Sequence, residues 1–147
     1  MGAYMIEGNR TADAALAVLA INADATLPRR AKLFEFGFGS EATPADNAFL
    51  WVLDRGTTAL GTSTGVTPSP ADPADVASVT DAGENHTVNP TIGARLYSQA
   101  LNQRASFRWV ATPGRELVVA AAANNSLVAR TTTMTAVAIK ASMGFDE

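Results

Sequence analysis

The chain of 147 residues contains no cysteine. That excludes a disulfide framework, a thiolate nucleophile and any cysteine-based zinc site. It contains one histidine, His86, so neither a histidine-rich metal site nor a set of acid–base histidines can be assembled from it. Lysine is nearly absent: only Lys32 and Lys140 accompany the arginines. Formal net charge is −3, which is not the electrostatic footprint of a nucleic-acid binder. No apolar run is long enough to cross a bilayer. The apolar stretch "ADAALAVLAINADA" (12–25) ends in an A-x-A-like triplet, but Glu7 and Asp13 offset Arg10, so the positive flank of a secretion signal is missing.

What is present is a hydrophobic content of 47% with only 17% charged residues, enough for one packed domain. Alternation at period two dominates. In "RAKLFEFGFGS" (30–40), Phe34, Phe36 and Phe38 fall on one face. In "NAFLWVLDRG" (47–56), Phe49, Trp51 and Leu53 do so, and in "ASFRWVATPG" (105–114), Phe107, Trp109 and Ala111. The short link 41–46 makes the first two of these antiparallel neighbours. "RELVVAAAA" (115–123) follows the Pro113-Gly114 turn at hairpin distance. "LVARTTTMTAVAIKASMGF" (127–145) favours strand through its threonines and β-branched residues, and 91–103 also fits a strand. "AALAVLAIN" (14–22) fits either a helix or a strand buried on both faces. The reading is an all-β antiparallel sandwich of seven or eight strands, jelly-roll-like, with residues 1–12 as an N-terminal arm and 13–147 as a single domain.

Between the strands lies "TGVTPSPADPADVASVTDAGENHT" (64–87), which reads as a long proline-rich loop, with one helical turn expected at 71–79 capped by Asp72. Its prolines reduce the entropy lost on ordering, which suits a segment that lies against a partner. Deleting 66–80 is then expected to spare the fold and weaken association.

Candidates for chemistry are sparse. His86 reads as a solvated loop residue with no orienting partner. Asp72, Asp75, Asp81 and Glu84 do not match a calcium-loop spacing and read as a solvated turn region. Glu35 and Asp54 are the carboxylates best placed for acid–base work, yet ion pairs with Arg30, Arg55 or Arg108 explain them more simply. Exposed Trp51 and Trp109 would instead point to a carbohydrate-binding sandwich module.

Three stretches, "RRAKLFEFGFGSEATPADNAFLWVLDR" (29–55), "TPSPADPAD" (67–75) and "NQRASFRWVATPGRELVVAAAANNSL" (102–127), carry a resemblance. Over roughly residues 11–140 the chain resembles the small β-rich virion proteins of tailed bacteriophages, among them capsid decoration or cement proteins and other head or tail components. The resemblance implies a non-enzymatic jelly-roll-like protein without cofactor or metal, made in the host cytoplasm and carried on the virion. Its implied partners are copies of itself, commonly as a trimer, and the major capsid protein, with no role for nucleic acid or membrane. The expected partner contacts are Tyr4, Met5 and Ile6 in the N-terminal segment, and Val66, Pro68, Pro70, Pro73 and Val76 in the long loop.

Overall fold

The structure, a computed structural model, describes residues 1–13, 16–132 and 136–147. Two expected strand segments, 14–22 and 127–145, therefore fall partly outside the described residues. The described residues form two antiparallel sheets packed face to face. The strands are β1 Ala3–Thr11, β2 Ala17–Asn22, β3 Ala31–Ala42, β4 Ala48–Gly56, β5 Thr62–Val66, β6 Ser69–Pro70, β7 Asp81–Val88, β8 Ile92–Asn102, β9 Phe107–Val110, β10 Leu117–Val119, β11 Ser126–Thr131 and β12 Ala138–Asp146. One sheet runs β10-β3-β12-β1-β6, with β9 also on β3. The other runs β5-β7-β2-β11-β4-β8.

The pairing is that of a ribbon doubled on itself and rolled. β1 pairs with β12, β2 with β11, β3 with β9 and β10, β4 with β8, and β5 with β7. Rolling then brings β12 onto β3 and β11 onto β4. This is an antiparallel β-sandwich, in which β5 to β7 extend the connection between β4 and β8 and add strands to both sheets.

The roll corrects several local expectations. β1 to β4 alternate between the sheets, so β3 and β4 are not neighbours; the short link between them crosses from one layer to the other. β9 and β10 do not form a hairpin. Both lie along β3, end to end, with the Pro113-Gly114 turn between them. The segment 127–145 divides into β11 and β12, in different sheets. Ala3–Thr11 is no arm: it is a strand inside the first sheet, flanked by β12 and β6. Its inward residues Tyr4, Ile6 and Gly8 are buried, while Met5, Glu7 and Asn9 face out.

The long loop is also largely structured. β5, β6 and β7 occupy half of 64–87, and 71–79 forms no helix, only a single turn in which the Asp75 N–H is donated to the Asp72 carbonyl at 3.0 Å. Asp72 also closes this turn with its side chain, its carboxylate accepting the Ala74 N–H at 2.9 Å. The remainder is tied down from two sides. The Tyr4 hydroxyl donates to the Val76 carbonyl at 2.9 Å. The buried Glu147 carboxylate accepts from the Ser78 hydroxyl at 2.6 Å and from the Thr80 N–H at 3.0 Å. A segment held this way is part of the domain, not a detachable loop.

The core lies between the sheets, and its aromatic residues bridge them. Phe38 of β3 stacks on Trp51 of β4 with ring centroids 4.7 Å apart, and Trp51 is fully buried. One bulge sets which residues take part. β12 pairs Phe145 with Leu33 but Gly144 with Glu35, so Phe34 is the extra residue. Leu33 and Phe36 therefore both point inward, whereas strict alternation would have grouped Phe34 with Phe36 and Phe38. Phe34 turns outward over Gly144, where a Cβ would lie 2.8 Å from its ring and 2.9 Å from the Met5 sulfur.

Candidate interaction surface

The expected contact residues do not form one surface. Tyr4 and Ile6 are core residues and Pro68 is buried, because β1 is an interior strand. Pro73 and Val76 are exposed, on the 71–80 segment, and Pro70 is half-buried in β6. Met5, Ile6 and Val66 do come together. With Glu7, Thr67, Ser69 and Ser142 they line a shallow groove of about 340 Å³.

The carboxylates are engaged as structural ion pairs. Glu35 on β3 receives a two-pronged contact from Arg108 on β9, at 2.6 and 2.8 Å. That contact holds its carboxyl below the ordinary range against the opposing effect of burial, the reverse of what a general acid needs. Asp54, 1% exposed, lies between Arg95 Nε at 3.0 Å and Arg130 at 2.8 Å. Arg55, the expected partner, donates instead to the Val118 carbonyl at 2.7 Å. The acids of 72–84 do not converge: Glu84 accepts the Asn9 N–H at 2.8 Å, and Asp72 serves its own turn. Among the described residues no three His, Cys, Asp or Glu side chains are grouped to hold a metal.

His86 is not solvated. It sits on β7, fully buried. Burial pushes its pKa down, aided by the nearby Arg10 guanidinium and opposed by the carbonyls of Ala17 and Leu60. The neighbouring backbone is pinned by Arg10, which donates to the His86 carbonyl at 2.6 Å and to the Ala17 carbonyl at 3.1 Å.

The sheet borders differ from one another in a way no residue pattern announced. A border strand presents unpaired amides, and proteins guard such borders with brevity, proline, bulges or charge. β6 is two residues long and ends in Pro70. β5 has five residues, carries a register shift, and leads into Pro68. β9 and β10 are short and interrupted by Pro113. β8 is different: it has eleven residues and contains no proline. Its irregularities lie before Tyr97, and from there Tyr97–Asn102 pairs residue for residue with Ala48–Leu53. The only charge on β8 is Arg95, which is already engaged with Asp54.

Beside this border the aromatic core reaches the surface. Tyr97 stacks on Phe107 with centroids 6.0 Å apart, and Phe107 packs on Phe38 at 5.3 Å. Tyr97, Leu101, Phe107, Trp109 and Leu117 are only partly buried against the core. The aromatic column that begins at Trp51 thus continues to the surface at β8 and β9. Trp51 is wholly interior, so the pair of exposed tryptophans that a sugar-binding platform would use is not present. No protein-family model matches the chain, and no curated protein and no solved structure matches it either.

Proposed function

We propose that this chain is a non-enzymatic structural protein that works by assembling with copies of itself and seating on the shell of a tailed-phage head. The observation that carries the reading is the unguarded β8 border with its apolar seam. Soluble sandwiches ordinarily blunt such borders, and an unblunted one beside partly exposed aromatics suits a permanent contact. The doubled-over pairing of the sandwich supports it as architecture, since the jelly rolls of viral capsid and lectin domains are built on such pairing, although a fold by itself does not assign a function. The ion-paired states of Glu35 and Asp54 favour a scaffold over an enzyme.

A decoration protein stabilises a shell by covering boundaries between neighbouring subunits. Linked contacts make each further contact effectively intramolecular, adding about 10²–10⁴ in avidity, so modest individual contacts suffice. The test is co-sedimentation of the purified protein with heads of a phage that encodes it, together with mass spectrometry of its purified virions. Saturable binding and a fixed stoichiometry in the virion are expected. A protein missing from particles and unable to bind them would overturn the assignment.

A further inference from the structure

We propose that the free border of β8 is a self-association site, at which a second copy of this chain adds its own β8 antiparallel across a twofold axis. The inference rests on the assembly reading above and assigns its contact.

The backbone direction follows from one hydrogen bond. The Gln103 N–H is donated to the Asn47 carbonyl at 2.9 Å, so Gln103 faces the β4 side. Alternation along the regular run then turns Leu101, Gln99 and Tyr97 towards β4 and leaves the amides of Ser98 and Ala100 pointing away from it. The Ala100 carbonyl accepts from the half-buried Gln99 side chain at 3.0 Å, a contact easily exchanged for a backbone donor. The side chains flanking these amides are small: Ser98 and Ala100 are exposed on the outer face.

The occupant is set by two features. First, a ring built head to tail, as the threefold expectation requires, needs a second, different free border to meet β8; the first sheet offers only the short β6, β9 and β10, which leaves the sheet that holds β8. Here the opposite border of that sheet is the short, shifted β5, so only β8 can serve, and a patch used against itself gives a twofold pair. Secondly, Leu96–Asn102 contains no Asp, Glu, Lys, Arg or His, and so no side chain charged at neutral pH. Self-pairing therefore sets no like charges opposite each other, whereas recognition of a charged foreign strand would have called for a charged border. A twofold at Gln99 brings Tyr97 opposite the partner's Leu101, extending the aromatic seam across the junction.

Ser98→Pro tests this directly. It removes an N–H that β4 does not use, so the fold should survive, as proline does on border strands. It removes one hydrogen bond from each half of a symmetric junction, which should weaken the dimer about tenfold to a hundredfold. Ala100→Lys is the second variant; it retains every amide and places like charges across the axis. Sedimentation equilibrium, circular dichroism and amide hydrogen exchange are the readouts. The expected result is a wild-type dimer whose Ser98 and Ala100 amides exchange slowly, and two folded variants that dissociate at least tenfold more readily and whose remaining amides at positions 98 and 100 exchange fast. A wild-type dimer unchanged by both variants would overturn the β8 assignment while leaving self-assembly in place. A wild-type monomer with fast exchange at these amides would overturn it as well. Co-sedimentation with heads then decides the functional reading separately.

Discussion

His86 makes the stability of this protein depend on pH within a narrow, readable window. The ring is fully buried and burial lowers its pKa, so the folded chain binds fewer protons at this site than the unfolded chain, whose histidine titrates near 6.5. Stability from the neutral ring is therefore complete above about pH 6.5 and is lost as pH falls towards the folded value. While the folded ring stays neutral, the loss approaches roughly 1.4 kcal/mol per pH unit, reaching at most about 2 kcal/mol at pH 5. For a chain of this length that is a fall in Tm of about 4–8 °C. The window is clean because the chain has one histidine. Glu35, Glu116 and Glu147 all have lowered pKa values, so their losses come below the ordinary glutamate range. Asp81, raised by burial and by Asp24, has the opposite sign. The assay is thermal unfolding from pH 7.5 to 5.0 for the wild type and for His86→Leu, with the difference in slope as the readout. A wild-type curve flat across that range, or a slope that persists in the leucine variant, would refute the buried neutral histidine.

Asp54→Ala leaves Arg130, whose side chain is 16% exposed, without its counter-charge, while the more exposed Arg95 relaxes into water. Chemical denaturation should show a loss of about 2–4 kcal/mol. Glu147→Ala strips the acceptor from the Ser78 hydroxyl and the Thr80 N–H, and should cost about 1–3 kcal/mol in the same experiment. Trp51→Ala empties the centre of the aromatic column and should cost about 3–5 kcal/mol. Deleting 66–80 removes β6 and the acceptor of the Tyr4 hydroxyl, so cooperative unfolding should be lost; a deletion variant that still melts sharply would show that the segment is dispensable.

The layer architecture was legible because period two is a local property. Trp51 and Phe49 in β4, and Phe107 and Trp109 in β9, alternate as their side chains require, whichever strand lies beside them. The Glu35–Arg108 pair was legible only in part: Arg108 was one of three arginines offered to Glu35 and Asp54, and the pairing of β9 with β3 is what selects it. Three things were not local. β1 contains Glu7, Gly8 and Asn9, and looks like a polar lead-in until β12, at the far end of the chain, pairs with it. The bulge at Phe34 shifts alternation by one residue, and only the register against Gly144 and Phe145 reveals it. His86 lies in a polar string, and what buries it is Arg10, Ala17 and Leu60, brought together by the roll.

The candidate surface was hidden for a deeper reason. Whether a strand is a border is a statement about what fails to pair with it, and no composition encodes that. "LYSQAL" (96–101) would be unremarkable in the middle of a sheet, where its lack of charge is ordinary; at the border the same lack leaves amides unprotected. The proline-rich stretch drew notice because its prolines are conspicuous, yet prolines are what guard a border. Pro68 and Pro70 stand where the second sheet hands the chain to the first. The residues that close one side of the sandwich thereby direct association to the other, and the two readings are linked: relieving the guard at β5 and β6 should create a second sticky border, whereas adding one to β8 should remove the first.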